Sequence, residues 1–201
     1  MKILGITGGV GAGKSTVLEY LERKYQARVV QCDQAGLLLQ EPGEICYQEI
    51  FRTFGGEILQ KDGRLDRTKL AELVFSDKKK LAQLNSIVHP AVKKYILDQI
   101  EQEQHDGKRK LFVIEAALLL EDHYDQICDE IWYLHTDASV RRERLKKSRG
   151  YSEEKVTQIM QNQKTDTEFQ NSCQFMVDNS SDIVENTYEQ IDRGLSEHGL
   201  L

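Results

Sequence analysis

The stretch Gly8-Gly9-Val10-Gly11-Ala12-Gly13-Lys14-Ser15 decides the fold, because it fits the pattern G-x-x-x-x-G-K-[ST] in the right context. A β-branched apolar run at residues 3–7 precedes it, and a helical pattern over residues 14–25 follows it. The glycines allow a tight turn whose backbone N–H groups face inward, beside the positive end of the helix. The stretch therefore predicts a phosphate-binding loop between a strand and a helix.

Two side chains at the end of this loop complete the predicted phosphate site. Lys14 is placed to bridge the β- and γ-phosphates of a nucleotide, and the Ser15 hydroxyl to ligate the Mg²⁺ ion between them. A glycine-rich turn with an incidental Lys-Ser pair is the alternative, which the flanking strand and helix disfavour. We expect the nucleotide to be held by Gly9, Val10, Gly11, Ala12, Gly13, Lys14, Ser15 and Thr16.

The rest of the chain alternates between strand-like and helix-like segments. Strands without polar alternation, separated by helices, indicate a parallel sheet covered on both faces. We therefore expect one α/β domain over residues 1–201, a three-layer P-loop fold with a five-stranded parallel sheet. The predicted strands are residues 3–7, 28–32, 111–114, 131–135 and 175–177, and the predicted helices between them include residues 14–25, 138–147 and 183–195.

Two connections are too long to be simple crossovers between parallel strands. The first, about residues 34–108, is long enough to form a helical lobe, and the second, about residues 137–172, follows the fourth strand. Both are interpreted as insertions into the single domain. Helical patterns in the first insertion cover residues 45–54, 67–75 and 79–103, and one in the second covers residues 153–161.

Composition argues against several functional classes. The chain has 27 Lys plus Arg against 33 Asp plus Glu, so it lacks the excess of positive charge that is typical of nucleic-acid-binding proteins. No apolar run approaches the roughly 18 residues that span a bilayer. The dispersed cysteines indicate reduced thiols, so we expect a cytoplasmic protein that binds neither nucleic acid nor membrane; its oligomeric state stays open. These cysteines are Cys32, Cys46, Cys128 and Cys173.

Among P-loop proteins, the chain length favours a small-molecule kinase. A GTPase would need Asn-Lys-x-Asp at the end of a strand, whereas the nearest string, Gln163-Lys164-Thr165-Asp166, begins with Gln and follows a helical pattern. Large motor and transporter ATPases have many more residues than 201. A kinase for a nucleoside, nucleotide or sugar, and a regulator that hydrolyses ATP slowly, remain alternatives on the residues alone.

Two carboxylates are candidates to work beside the transferred phosphate. Asp33 ends the second strand, where a parallel sheet lines its ligand crevice, and could orient or deprotonate an attacking hydroxyl. A simple helix N-cap is the alternative for Asp33. Glu115 ends the third strand, where it could hold the metal's water shell or the acceptor; a carboxylate in a surface loop is its alternative.

The second insertion opens with six cations within nine residues, 141–149, in a chain of net charge −6. A solvated helix face explains most of them. Their place after the fourth strand also suits a basic lid that closes over ATP and brings an arginine to the transferring phosphoryl group. Arg144 and Arg149 are the candidates for that contact.

Taken together, these residues resemble the dephospho-CoA kinase family over nearly the whole chain. The order and spacing of many short blocks carry the resemblance. They include Gly5-Ile6-Thr7-Gly8-Gly9, Glu41-Pro42-Gly43, Leu84-Asn85, His89-Pro90, Leu118-Leu119-Leu120-Glu121, Arg144-Leu145, Gln163 and Val177-Asp178-Asn179. The chain departs from the family at Gln31-Cys32 before Asp33, at Ala117, and at Cys173-Gln174.

The resemblance implies transfer of the ATP γ-phosphoryl group, with Mg²⁺, to the ribose 3′-hydroxyl of dephospho-CoA, giving coenzyme A. It implies that Asp33 is the catalytic base, assisted by Lys14 and Arg144, and that the first insertion receives the pantetheine arm. Asn179 would lie near the adenine of ATP, unless it is a simple turn residue. His89 would contact the ligand or begin a helix before Pro90. The implied acceptor contacts are Asp33, Arg67, His89, Glu115 and Leu118, and Arg149 joins the nucleotide contacts.

Overall fold

The computed structural model describes residues 1–201 and alternates strands with helices along the chain. The strands are β1 (Lys2–Thr7), β2 (Arg28–Gln31), β3 (Leu111–Glu115), β4 (Glu130–His135) and β5 (Phe175–Asp178). The helices are α1 (Lys14–Tyr25), α2 (Cys32–Leu38), α3 (Ile45–Phe54), α4 (Arg67–Phe75), α5 (Lys78–Asp106), α6 (Ala138–Arg149), α7 (Glu153–Gln161), α8 (Asp166–Ser172) and α9 (Val184–Glu197). Short 3₁₀ turns lie at Gly56–Ile58 and Tyr124–Gln126.

The five strands form one sheet in the order β2-β3-β1-β4-β5. β1 pairs in parallel with β3 and β4, and β4 pairs in parallel with β5. The carboxyl ends of β1, β3, β4 and β5 therefore meet at one edge of the sheet. This confirms the predicted α/β fold and places the loop after β1 between the ends of β3 and β4.

The chain divides into two compact units, of which the first is Met1–Val29 together with Asp106–Leu201. Its core packs the central strands against α1 and α9. Because β3 is buried along its whole length, it needs no polar alternation, which is the pattern that the sequence shows. The core includes Leu4, Ile6, Leu18, Leu21, Leu111, Val113, Trp132, Leu134, Val177, Ile191 and Leu195.

The second unit, Val30–His105, contains α2, α3, α4 and all of α5 except its last residue. Asp66 caps α4, since its side chain accepts from the Lys69 N–H. Pro90 lies inside the 29-residue helix α5, so the alternative in which His89 precedes a helix start is wrong. This unit nearly coincides with the predicted insertion of about 34–108, but its role as an acceptor-binding lobe stays a prediction. Its buried side chains include Cys46, Ile50, Leu70, Val74, Val92, Ile96 and Ile100.

Two short helices were not predicted, α2 directly after β2 and α8 before β5. Predicted strand ends differ from the observed ones by at most one residue, and the observed α5 extends slightly beyond residues 79–103. No helix combines the length and the apolar character needed to cross a membrane.

Candidate active site

The loop at residues 8–13 connects β1 to the N-terminus of α1. Gly13 sits at the N-cap with φ 88°, no side chain caps the helix, and its first turn contains no acidic residue. A Cβ on Gly13 would lie 2.3 Å from the Asn179 Nδ2 atom, so glycine is required both by φ and by space. The positive end of the α1 dipole is thus not neutralised by a side-chain cap or by a carboxylate of the first turn, which favours the binding of an anion there.

The Ala12 carbonyl is held from behind the loop by two buried side chains. It accepts a hydrogen bond from the Asn179 Nδ2 at 2.7 Å, and from the Thr136 hydroxyl at 3.0 Å, whose one proton is shared with the His135 carbonyl at 2.7 Å. Asn179 is itself fixed, because its Oδ1 accepts from the Thr187 hydroxyl at 2.9 Å. In a planar trans peptide the N–H points opposite to the C=O, so the Gly13 N–H is aimed away from these anchors.

A second pair of side chains holds the loop at Val10. The Arg141 Nε donates to the Val10 carbonyl at 3.1 Å, and the Gln163 Oε1 accepts from the Val10 N–H at 3.3 Å and from the Arg141 guanidinium. A Cβ on Gly9 would lie 2.2 Å from the Arg141 Nη2, so a side chain at residue 9 would have to displace the guanidinium. Sequence reasoning treated Arg141 only as one member of the basic stretch, and gave Gln163 no role.

Lys14 and Glu115 meet beside the loop. The Lys14 Nζ donates to the Gly8 carbonyl at 2.8 Å and lies 3.4 Å from a carboxylate oxygen of Glu115. Glu115 is only 6 % exposed at the end of β3, so the alternative that it lies in a surface loop is wrong. The structure therefore places a cation and a buried carboxylate together where the motif predicts terminal phosphates.

The loop amides differ in their partners. The Val10 N–H is bonded to Gln163, and the Ala12 N–H donates to the Gly9 carbonyl at 3.1 Å. Ser15 and Thr16 belong to the first turn of α1, where the Thr16 N–H donates to the Gly13 carbonyl at 3.1 Å. Direct nucleotide contacts by these residues stay predictions.

The basic stretch separates into side chains with different partners. The Arg144 Nη1 is buried without a hydrogen-bond partner, and it lies 3.5 Å from the place a Cβ on Gly13 would occupy. Arg149 is exposed and lies 5.9 Å from the ring centre of Tyr151, whose pKa is lowered mainly by a hydrogen bond with Arg149. Arg142 and Lys146 both pair with Glu153 on α7, as a solvated helix face would.

Of the remaining predicted acceptor residues, Asp33, Arg67 and His89 belong to the second unit and Leu118 to the first. Asp33 is an exposed residue in the first turn of α2, whose N-cap is Gln31, so the N-cap alternative for Asp33 is wrong. Arg67 begins α4 and donates to Glu41 at 3.0 Å. His89 is half-buried in α5, and Leu118 is 46 % exposed after β3.

Arg67 lines a polar cleft of about 360 Å³ within the second unit. Glu41, Gln60 and Arg64 also face this cleft. It contains both signs of charge, since the Arg67 guanidinium and the Glu41 carboxylate form an ion pair at its wall. The cleft shows Arg67 in a concave surface, as a ligand contact would require.

A parallel sheet with an uncapped helix after an anchored glycine loop defines a P-loop nucleotide-binding protein. The dephospho-CoA kinase family model matches residues 2–185. The chain is 35% identical over 188 residues to the dephospho-CoA kinase of Shouchella clausii, covering 94% of each chain. The crystal structure of TT1252 from Thermus thermophilus has a TM-score of 0.82 at 28% identity, covering 98% of this chain and 97% of that one.

A dephospho-CoA kinase from Campylobacter jejuni, with a TM-score of 0.71 at 21% identity, covers 99% of this chain and 100% of its own, and shows the shared fold. The chain belongs to the dephospho-CoA kinase family. It is a kinase of the family whose reaction phosphorylates dephospho-CoA to coenzyme A, with ATP as the family's phosphate donor.

The Ala12 anchor can be tested with Asn179→Asp, which keeps the shape of the side chain but replaces the donor to Ala12 by an acceptor. We expect a loss of about 1–3 kcal/mol in the free energy of unfolding, since a buried hydrogen bond becomes a repulsion. ADP affinity should fall as well, measured by calorimetry on the folded variant. Asn186→Asp, an exposed position of α9, is the control, and unchanged ADP affinity in Asn179→Asp would contradict the anchoring role.

Proposed function

We propose that the enzyme transfers the γ-phosphoryl group of ATP to the ribose 3′-hydroxyl of dephospho-CoA by in-line attack. The observation that carries this proposal is the anchored loop: the Ala12 carbonyl is fixed, and the Gly13 N–H and the start of α1 are left to receive phosphate. Phosphoryl transfer asks mainly for positioning and charge neutralisation, which such a loop supplies. The family match supports the choice of acceptor.

Lys14 neutralises the β- and γ-phosphates in this proposal. Its ammonium group is held beside the loop by the Gly8 carbonyl and by Glu115, so little rotation is needed to face a bound nucleotide. Because Glu115 is buried, its carboxylate also keeps the Lys14 charge in place before phosphate arrives. When ATP binds, Lys14 therefore replaces part of its interaction with Glu115 by an interaction with the phosphates.

The residues at the loop fit a Mg²⁺ ion bound largely through ATP. The Ser15 hydroxyl at the start of α1 and the buried Glu115 carboxylate at the end of β3 supply the hard oxygen donors that this ion prefers. No cluster of three or more His, Cys, Asp or Glu that could hold a metal occurs in residues 1–201. In this proposal, phosphate oxygens and water complete the shell. When bound, Mg²⁺ would offset negative charge on the β- and γ-phosphates.

Arg144 is the lid cation that we assign to the transferring phosphoryl group. Its buried Nη1 has no partner and lies beside Gly13, and an unpaired buried donor is costly unless a ligand uses it. Arg149, on the surface against Tyr151, is proposed as an outer nucleotide contact. Asn179 contributes to nucleotide binding through the loop, and a contact with adenine would add to that role.

Asp33 is proposed as the general base for the acceptor hydroxyl. It follows β2 in the sheet by two residues and is exposed, which leaves its carboxylate available to a substrate. Arg67, His89, Glu115 and Leu118 are proposed to contact dephospho-CoA, with the second unit acting as the acceptor-binding lobe. The four free cysteines fit a reducing compartment, so we place the enzyme in the cytoplasm, acting on small molecules rather than on nucleic acid or membranes.

The acceptor is tested by measuring ADP release with ATP and Mg²⁺ against a panel of hydroxyl compounds. We expect release to depend on dephospho-CoA and to be negligible with shikimate, gluconate, nucleosides and nucleoside monophosphates. Faster release with one of these others would assign a different small-molecule kinase. Release that is the same with and without every acceptor would instead indicate a regulator that hydrolyses ATP.

Asp33→Asn tests the proposed base. Since general-base catalysis contributes typically about 10²–10⁴-fold, we expect turnover to fall by at least about 10²-fold while ATP affinity stays near that of the wild type. Asp98→Asn removes an exposed carboxylate that pairs only with Lys94 on α5, and serves as the matched control. Turnover of Asp33→Asn at the rate of the control would remove Asp33 from this role.

A further inference from the structure

Val10 is the point at which the second insertion is joined to the phosphate-binding loop. Both backbone polar groups of Val10 form hydrogen bonds. The carbonyl accepts from Arg141 of α6, and the N–H donates to Gln163, which follows α7. Arg141 and Gln163 also bond to each other, which closes a ring of three residues. We name this ring the Val10 clasp. Along the chain, Val10 lies 131 residues from Arg141 and 153 residues from Gln163.

The clasp contains a buried charge without a charged hydrogen-bond acceptor. Arg141 is only 8 % exposed, and its guanidinium donates to a backbone carbonyl and to an amide oxygen, both of them neutral. Burial accordingly lowers the pKa of Arg141, opposed by smaller effects of Tyr133 and Asp166. Burying a cation in this way is costly, and two neutral hydrogen bonds offset only part of the cost.

Two further features indicate that the loop is shaped around this cation. The Arg141 guanidinium occupies the space beside Gly9, where a Cβ would lie 2.2 Å from the Nη2 atom. On the next turn of α6, Leu145 packs against Gly11, where a Cβ would lie 3.0 Å from the Leu145 Cγ. One face of α6 therefore lies against the loop, with Arg141 at the position that makes the polar contacts.

We propose that Arg141, together with Gln163, is a positioning residue for phosphoryl transfer. The Val10 clasp sets the turn that directs the following N–H groups toward the phosphates, and it ties this turn to α6 and to the α7–α8 connection. Any movement of this insertion over bound ATP is then transmitted to the loop through Val10. The proposal rests on the proposed function for its substrate, and assigns a role to two residues outside the predicted site.

The physical consequence follows from the sensitivity of phosphoryl transfer to geometry. A displacement of about 1 Å in a positioning group can cost about 10²-fold in rate. Without the clasp, the Val10 carbonyl and N–H would be free to rotate, and the loop would populate arrangements that bind phosphate poorly. ADP affinity and turnover should then fall together, while the affinity for the acceptor should change little.

The test uses near-isosteric variants that remove the polar contacts, Arg141→Met and Gln163→Leu. Their matched controls are Lys147→Met, exposed on the same helix, and Gln161→Leu, exposed at the end of α7. We expect ADP affinity, measured by calorimetry on full-length protein, to fall by about tenfold or more in both clasp variants, because a hydrogen bond with a charged group is lost. The controls should stay within about twofold of the wild type.

Kinetics and rescue separate positioning from a purely structural role. The clasp variants should show a raised KM for ATP and a lowered kcat, with the KM for dephospho-CoA within about twofold of the wild-type value. Arg141→Lys keeps one donor and should recover part of the ADP affinity. The ADP affinity of the double variant should equal that of the single variant that binds ADP less tightly, because both substitutions open the same ring.

A lower unfolding midpoint with wild-type ADP affinity and wild-type kinetics would overturn the proposal and leave Arg141 a structural residue. If Arg141→Met does not fold, Arg141→Lys and Gln163→Leu carry the same test. ADP binding involves no acceptor, so its result stands whatever hydroxyl compound the enzyme phosphorylates. Failure of the acceptor panel and failure of the clasp are therefore distinguishable.

Discussion

The hydrogen bonds accepted by the Ala12 carbonyl are the constraint on which the site depends. Thr136 follows β4 and Asn179 follows β5, so two neighbouring strand ends converge on one peptide group. That peptide is planar, so fixing its carbonyl also fixes the direction of the Gly13 N–H. The parallel sheet thus does more than display a loop at its edge, because its other strands hold the loop in a conformation ready for phosphate.

The same constraint explains why the loop residues are what they are. Gly13 must leave space for Asn179 and adopt a left-handed φ, and Gly9 must leave space for the Arg141 guanidinium. Lys14 and Glu115 add paired charges beside the loop. The loop of this protein therefore uses its glycines for close packing against buried polar side chains, as well as for turning the chain.

Local sequence signals were enough to predict the parallel sheet, the phosphate-binding loop and helices α3, α4 and α7. They missed α2 and α8, whose seven residues each carry too short a pattern; they gave Thr136 no role and treated Arg141 only as one member of the basic stretch. The reason is distance along the chain, since Thr136 contacts Ala12 from 124 residues away and Arg141 contacts Val10 from 131. Nothing in the local pattern marks which cation of a basic helix will be buried.

The most direct measurement is a crystal structure of the protein with Mg²⁺ and a non-hydrolysable ATP analogue. We predict that the Gly13 N–H lies about 3 Å from a phosphate oxygen, the usual hydrogen-bond distance, while Ala12 stays bonded to Thr136 and Asn179. Phosphates bound away from residues 8–15, or a flipped Ala12–Gly13 peptide with both anchors broken, would contradict this prediction.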